Sequence, residues 1–205
     1  MARYNPKDHF FHKAKKENFV ARSVYKLEEI QEKYKIIKTG HRVLDLGAAP
    51  GSWTQYTLKA VGPRGLVVAI DLSPLTIDQS QPIKNLVELT EDANNLPQLL
   101  TERELPQDFD VVISDMAPKT TGVKFTDQVR SYELCELALN LAKAHLKKGG
   151  SFVCKFFHSA DFKDLHLELR KSFEAVHTIK PEATRSMSKE IFIVGRNKKA
   201  PPTSR

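Results

Sequence analysis

Cysteine is nearly absent from this chain of 205 residues, which carries only Cys135 and Cys154. Two cysteines cannot build a disulfide framework, and this pair lacks the CxxC spacing of a structural zinc site. The expectation is a reducing, cytoplasmic environment and no metal. Long hydrophobic runs are missing as well: Val67-Val68-Ala69-Ile70 and Val111-Val112-Ile113 fall far short of the roughly 20 apolar residues that span a bilayer. The opening segment Met1-Ala2-Arg3-Tyr4-Asn5-Pro6-Lys7-Asp8 has no apolar stretch of the kind a secretory signal needs. Neither secretion nor membrane insertion is expected. No internal repeat and no linker-like stretch interrupts the chain.

What is present describes an ordinary folded domain. Hydrophobic residues make up 40% and charged residues 28%, with 11 Phe and 5 Tyr, enough to bury one core and too little length for two substantial ones. The net charge of +7 is unevenly spread. Residues 1–40 carry 10 Lys and Arg against 5 Asp and Glu, residues 41–142 carry 8 against 14, and residues 143–205 carry 14 against 6. Two basic ends around an acidic middle suit a polyanion such as nucleic acid, if folding brings the ends to one face.

Hydrophobic periodicity predicts an amphipathic helix over residues 20–35, with Val20, Val24, Leu27, Ile30 and Tyr34 on one stripe. Short β-rich segments follow at 41–46, 66–70, 86–89, 109–114 and 150–157. Helical patterns lie between several of them, at 53–61, 96–100 and about 126–146. Lys147-Lys148-Gly149-Gly150 reads as a basic last turn and cap closing the longest helix. Alternation of strand and helix means a parallel sheet. After a helix at 161–173, two strands at 175–180 and 190–195 have no helix between them and are expected to pair antiparallel.

Val43-Leu44-Asp45-Leu46-Gly47-Ala48-Ala49-Pro50-Gly51-Ser52-Trp53 reads as strand, glycine turn and helix start, the place where open α/β sheets bind ligands. The GxGxxG fingerprint is absent, since only Gly47 and Gly51 stand in the turn, and Asp45 would repel a pyrophosphate. A nicotinamide-dependent oxidoreductase is disfavoured on that ground. Asp45 suits a ligand with an ammonium group, such as the methionine part of S-adenosylmethionine. Asp71 ends the second strand, where a carboxylate accepts hydrogen bonds from ribose hydroxyls. Glu91-Asp92 follows the third strand, and strand alternation favours Asp92 for reaching an adenine edge. Trp53 either packs against a ligand or caps the core. Asp115 follows the fourth strand at the same edge, and Lys155 lies inside the apolar run of the fifth. A buried lysine is costly, so Lys155 is either ion-paired or functional.

Tyr25-Lys26-Leu27, the stretch Asp45 to Trp53, Ser114-Asp115-Met116-Ala117-Pro118, Cys154-Lys155-Phe156-Phe157 and Ser186-Met187-Ser188-Lys189-Glu190 resemble the successive motifs of the FtsJ/RrmJ (RlmE) ribose 2'-O-methyltransferases, over about residues 14–195. One departure is Ser52, where many members have glycine. The resemblance implies an α/β, Rossmann-like class I S-adenosylmethionine-dependent methyltransferase, with a seven-stranded, mostly parallel sheet whose last strand is antiparallel. It implies a reaction centre of Lys26, Asp115, Lys155 and Glu190, with Lys155 as general base and no need for a metal. It places the methyl donor against Gly51, Trp53, Asp71, Asp92 and Asp115, to which the reading of the turn adds Asp45 and Gly47. The implied substrate is a uridine of 23S-type large-subunit ribosomal RNA, free or in a 50S-type particle. The anticodon loop of transfer RNA is the alternative within the family, and a noncatalytic ribosome assembly factor the alternative outside it. A basic arm (1–20), a catalytic domain (21–196) and a basic tail (197–205) are expected, in a monomer. Lys7, Lys13, Lys15, Lys16 and Arg22 are the candidate RNA contacts.

Overall fold

Seven strands form one sheet with helices on both faces. The structure is a computed structural model that describes residues 9–119, 121–157, 159, 162–185 and 188–200. The helices are α1 (His9–Lys16), α2 (Val24–Tyr34), α3 (Ser52–Val61), α4 (Leu96–Glu102), α5 (Lys124–His145) and α6 (Phe162–Ser172). The strands are β1 (Arg42–Leu46), β2 (Leu66–Asp71), β3 (Leu86–Thr90), β4 (Phe109–Ser114), β5 (Leu146–Phe157), β6 (Phe173–Ile179) and β7 (Glu190–Lys198). Their order across the sheet is β3-β2-β1-β4-β5-β7-β6. Strands β3 to β5 are linked by parallel pairings through β2, β1 and β4, while β7 runs antiparallel to both β5 and β6.

Burial on both faces explains the near-continuous apolar strands. Leu44, Val68, Val112, Phe152, Cys154 and Ile193 point into one layer, packed with Leu96, Cys135, Ala138, Leu139 and Leu169 from α4, α5 and α6. Val43, Val67, Val111, Val153, Phe192 and Val194 point into the other, with Leu27, Ile30, Tyr34 and Trp53 from α2 and α3. The alternation carries chemistry as well as packing. Asp45 lies opposite Ile113, and Lys155 opposite Phe192, so both belong to the face covered by α2 and α3.

Two expectations from the sequence are corrected. The helix expected to close at Lys147-Lys148-Gly149-Gly150 ends earlier, at His145, and Leu146 is already extended and paired opposite Phe109. Sheet pairing stops this helix, assisted by Lys147, whose amine lies 2.8 Å from Asp110. Residues 1–20 were expected to be an appendage. Among them, 9–16 form α1, whose Ala14 is buried with Val24, Tyr25 and Ala183, beside Phe10 and Phe19. A two-turn helix buries too few apolar positions to be conspicuous by periodicity.

Candidate active site

The carboxyl ends of β1, β2 and β4, the far half of β5 and the first residue of β7 meet at one edge of the sheet. Strand direction alone achieves this: β7 is antiparallel, so its start lies where its parallel neighbours end, and Glu190 pairs with Phe157. On the face shared with Phe192, Glu190 and Lys155 are diagonal neighbours.

Four side chains form two ion pairs there. Lys155 Nζ donates to both the carbonyl oxygen and Oδ1 of Asp115, the latter at 2.8 Å, with its side chain 9% exposed. Lys26, projecting from α2, is paired with Glu190, and Thr184 Oγ1 donates to the same carboxylate at 3.2 Å. The Lys26 ammonium also stands over the Phe192 ring, 5.9 Å from its centroid. Lysine and carboxylate thus alternate across the site with every charge compensated, which is what tolerating four ionic groups at low exposure requires.

The turn after β1 is held from both sides. Gly47 has φ +71° and Gly51 φ +113°, backbone conformations that glycine adopts without strain. A Cβ on Gly47 would come within 2.6 Å of Met116 Cγ, and one on Gly51 within 2.5 Å of Ile77 Cγ2. Side chains at these two positions would collide with protein neighbours, so the turn needs its glycines. Asp71 accepts the Ala49 N–H through Oδ2 at 3.0 Å and the Ser73 N–H through Oδ1 at 2.9 Å. Two further lone-pair positions of this carboxylate are left for hydroxyl donors.

Asp45 is fully buried. Its Oδ2 accepts from Thr54 Oγ1 at 2.7 Å, and its Oδ1 has no hydrogen-bond partner. Burial pushes its carboxyl up to about 7; the Thr54 hydrogen bond opposes this, while Asp115 and Asp71 add to it. An enclosed acceptor under the field of two more carboxylates is suited to a cationic ligand nearby and hostile to a phosphate.

Other predicted residues have partners within the protein or lie at its surface. The Trp53 indole is 2% exposed, donates Nε1–H to Ser23 O at 2.8 Å and packs on Phe192, so it ties α3 to α2 and β7 as a core residue. Asp92 is exposed and accepts Asn94 N–H through Oδ1 at 2.8 Å, capping the short helix Ala93–Asn95. Lys13 lies 4.1 Å from the Tyr25 ring centroid and 3.6 Å from Glu28, while Lys15 and Lys16 are exposed at the end of α1. Lys7 lies outside the described residues.

One residue escaped the sequence reading. Arg185, together with Arg22, Ser23, Lys26, Ala183, Ser188 and Glu190, lines a cavity of about 250 Å³ beside the Lys26–Glu190 pair. The Arg22 guanidinium donates to Ala183 O at 2.5 Å. Burial and the nearby Arg185 cation lower the Arg22 pKa, against the pull of Glu190. Two guanidiniums held close enough to disfavour each other mark a place for an anion. The only signal in the sequence was a basic residue just before the last motif.

The profile of the FtsJ-like methyltransferases matches residues 19–198. The chain belongs to that family. It is 55% identical over 198 residues to the Ribosomal RNA large subunit methyltransferase E of Bdellovibrio bacteriovorus, covering 96% of this chain and 99% of that one. It is 48% identical to the protein of the same name from Syntrophobacter fumaroxidans, covering 94% and 96%. Among solved structures, one assigned as a ribosomal RNA methyltransferase from Plasmodium falciparum superposes with a TM-score of 0.76 at 26% identity, over 89% of this chain and all of that one. Fibrillarin from Aeropyrum pernix, with S-adenosyl-L-methionine natively bound, shares the fold, with a TM-score of 0.58 at 18% identity over 78% of this chain and 68% of its own. The FtsJ-like assignment fits the sheet order and the antiparallel β7 on which Glu190 depends. No helix among the described residues is long and apolar enough to cross a membrane.

Proposed function

We propose that this FtsJ-like chain transfers a methyl group from S-adenosylmethionine to a ribose 2'-hydroxyl of large-subunit ribosomal RNA, at a uridine. The observation that carries this is the pair of ion pairs Lys155–Asp115 and Lys26–Glu190 at the carboxyl edge of the sheet, beside an arginine-lined cavity. The two curated relatives named above support the choice of ribosomal RNA. A 2'-hydroxyl distinguishes RNA from DNA.

The residues present fit the methyl donor. Asp45, with an unpartnered buried oxygen, and Asp115 supply negative potential for its ammonium and sulfonium, and Asp71 has lone pairs to spare for its ribose. When bound, S-adenosylmethionine supplies a methyl group already activated by the positive sulfur.

The remaining task falls to the protein: aligning a weak nucleophile and taking its proton. As an ammonium, Lys155 has three N–H donors, of which Asp115 engages two. Loss of the third proton leaves an amine still held by both bonds, with its lone pair directed away from Asp115. That lone pair takes the 2'-hydroxyl proton at Nζ as the oxygen forms its bond to the methyl carbon and the carbon–sulfur bond breaks, its electron pair staying with the sulfur of a neutral thioether that leaves. Lys26, fixed by Glu190, positions the ribose oxygen, and Arg22 and Arg185 hold an adjacent phosphate.

The experiment is transfer of labelled methyl to purified large ribosomal subunits, free ribosomal RNA and transfer RNA in parallel, with nucleoside mass spectrometry of the products. 2'-O-methyluridine from the ribosomal substrates is expected. Label in transfer RNA alone would overturn the substrate, and no label in any of them would overturn the reading.

A further inference from the structure

The opposite edge of the sheet carries a second concentration of positive charge that the reaction does not use. A cavity of about 230 Å³ lies there, lined by Lys35 and Lys38 after α2, His41 before β1, Asp110 of β4, the Lys147–Ser151 stretch of β5, and Arg196 and Asn197 of β7. Lys35, Lys38, Lys147, Lys148 and Arg196 face a single lining carboxylate. That carboxylate is already committed, since Asp110 pairs with Lys147 at 2.8 Å and accepts the Arg42 N–H at 2.8 Å. Neighbouring Asp108 is engaged by Arg42 at 3.1 Å and by Lys147 at 3.6 Å. Among the described residues, Lys35, Lys38, Lys148 and Arg196 have no ion-pair partner.

One further observation agrees. His41 has its pKa lowered chiefly by burial and further by Lys38 and Lys147, with Asp110 opposing. Lys38 and Lys147 thus act on the imidazole as nearby cations, against the pull of Asp110. Like charges gathered around one concavity, with its single carboxylate already paired, repel one another, and a phosphate relieves that repulsion.

We infer that this cavity is a second phosphate site, which binds the RNA backbone at a distance from the reacting ribose. This rests on the reading of the substrate as RNA. Asp110 and Asp115 mark the two edges on one strand, and five residues of strand separate them by roughly 16 Å. A single nucleotide does not bridge that span. A longer RNA does, so the site favours long RNA over short fragments.

The test compares three proteins: wild type, the triple variant Lys38→Ala, Lys148→Ala and Arg196→Ala, and a control that removes three exposed cations elsewhere, Arg64→Ala, Lys84→Ala and Arg103→Ala. Affinity for a large-subunit ribosomal RNA transcript is measured against salt concentration. Loss of three phosphate contacts should flatten the logarithmic salt slope by about 2, so that a fourfold rise in salt costs the variant about 20-fold less affinity than wild type. The control should keep the wild-type slope, and binding of a trinucleotide should be the same in all three. Equal slopes in wild type and variant, or an equal fall in the control, overturn the site. His41 supplies an independent readout: its NMR titration should shift to higher pH on addition of the transcript. A response to inorganic phosphate but not to the transcript overturns RNA as the occupant. Methyl transfer by wild type, assayed on the same preparation, reports separately on the proposed activity, whose failure would leave the slopes readable.

Discussion

Replacing Asp45 with asparagine should stabilise the donor-free protein at neutral pH, although it alters a residue of the binding site. The folded carboxyl titrates at about 7 against an ordinary value of 3.8, because burial penalises its charge. Between those values the folded protein binds a proton that the unfolded chain has released, so stability must fall as the pH rises. The contribution is fully present below about pH 4 and is lost by the time the pH has passed about 7. A gap of roughly three pH units at about 1.4 kcal/mol each gives ~4 kcal/mol, a large share of the 5–15 kcal/mol typical of a domain. The amide introduced by Asp45→Asn carries no charge and escapes this loss. Urea unfolding without ligand at half-unit steps from pH 4.5 to 8 should show the variant's stability nearly level and the wild type declining away from it. Parallel curves would refute the argument that Asp45 is enclosed and unpaired.

The same carboxyl predicts a proton count on binding. A cationic donor favours its ionised form, so calorimetry in buffers of different ionisation enthalpy near pH 6.5 should show proton release, absent in Asp45→Asn. Lys155→Ala should lose about 10²–10⁴-fold in methyl transfer while keeping donor affinity, and Lys155→Arg should not rescue it, because a guanidinium does not act as a base near neutral pH. Turnover equal to wild type would remove Lys155 from the role of base. Asp71→Ala frees the Ala49 N–H and removes an acceptor, so calorimetry should show donor affinity falling roughly tenfold or more. Arg185→Ala should raise the RNA KM roughly tenfold with donor affinity unchanged; a fall in kcat alone would count against a phosphate contact.

Local patterns decided much of this molecule. The run from Val43 to Trp53 specified strand, turn and helix start through its apolar spacing and two glycines, and the lack of a helical pattern between the last two strands foretold their antiparallel pairing. Lys155 announced itself as a charge in an apolar run. Other features depended on residues remote in sequence. Lys26 reads as a solvated lysine on its own helix, and only the packing of α2 on the sheet sets it against Glu190. The neighbours that hold Trp53 and crowd the two glycines, Ser23, Phe192, Met116 and Ile77, are supplied by other elements and could not be read from the turn itself. The end of α5 was misplaced because a Lys-Lys-Gly-Gly stretch looks like a helix cap until β4 offers it a ladder and a carboxylate. Periodicity reports which face of an element is apolar. Which groups meet across the sheet edge, and whether their charges are compensated, is set by strand order and direction, which bring Arg22 beside Arg185 and leave Lys38, Lys148 and Arg196 together at the far end.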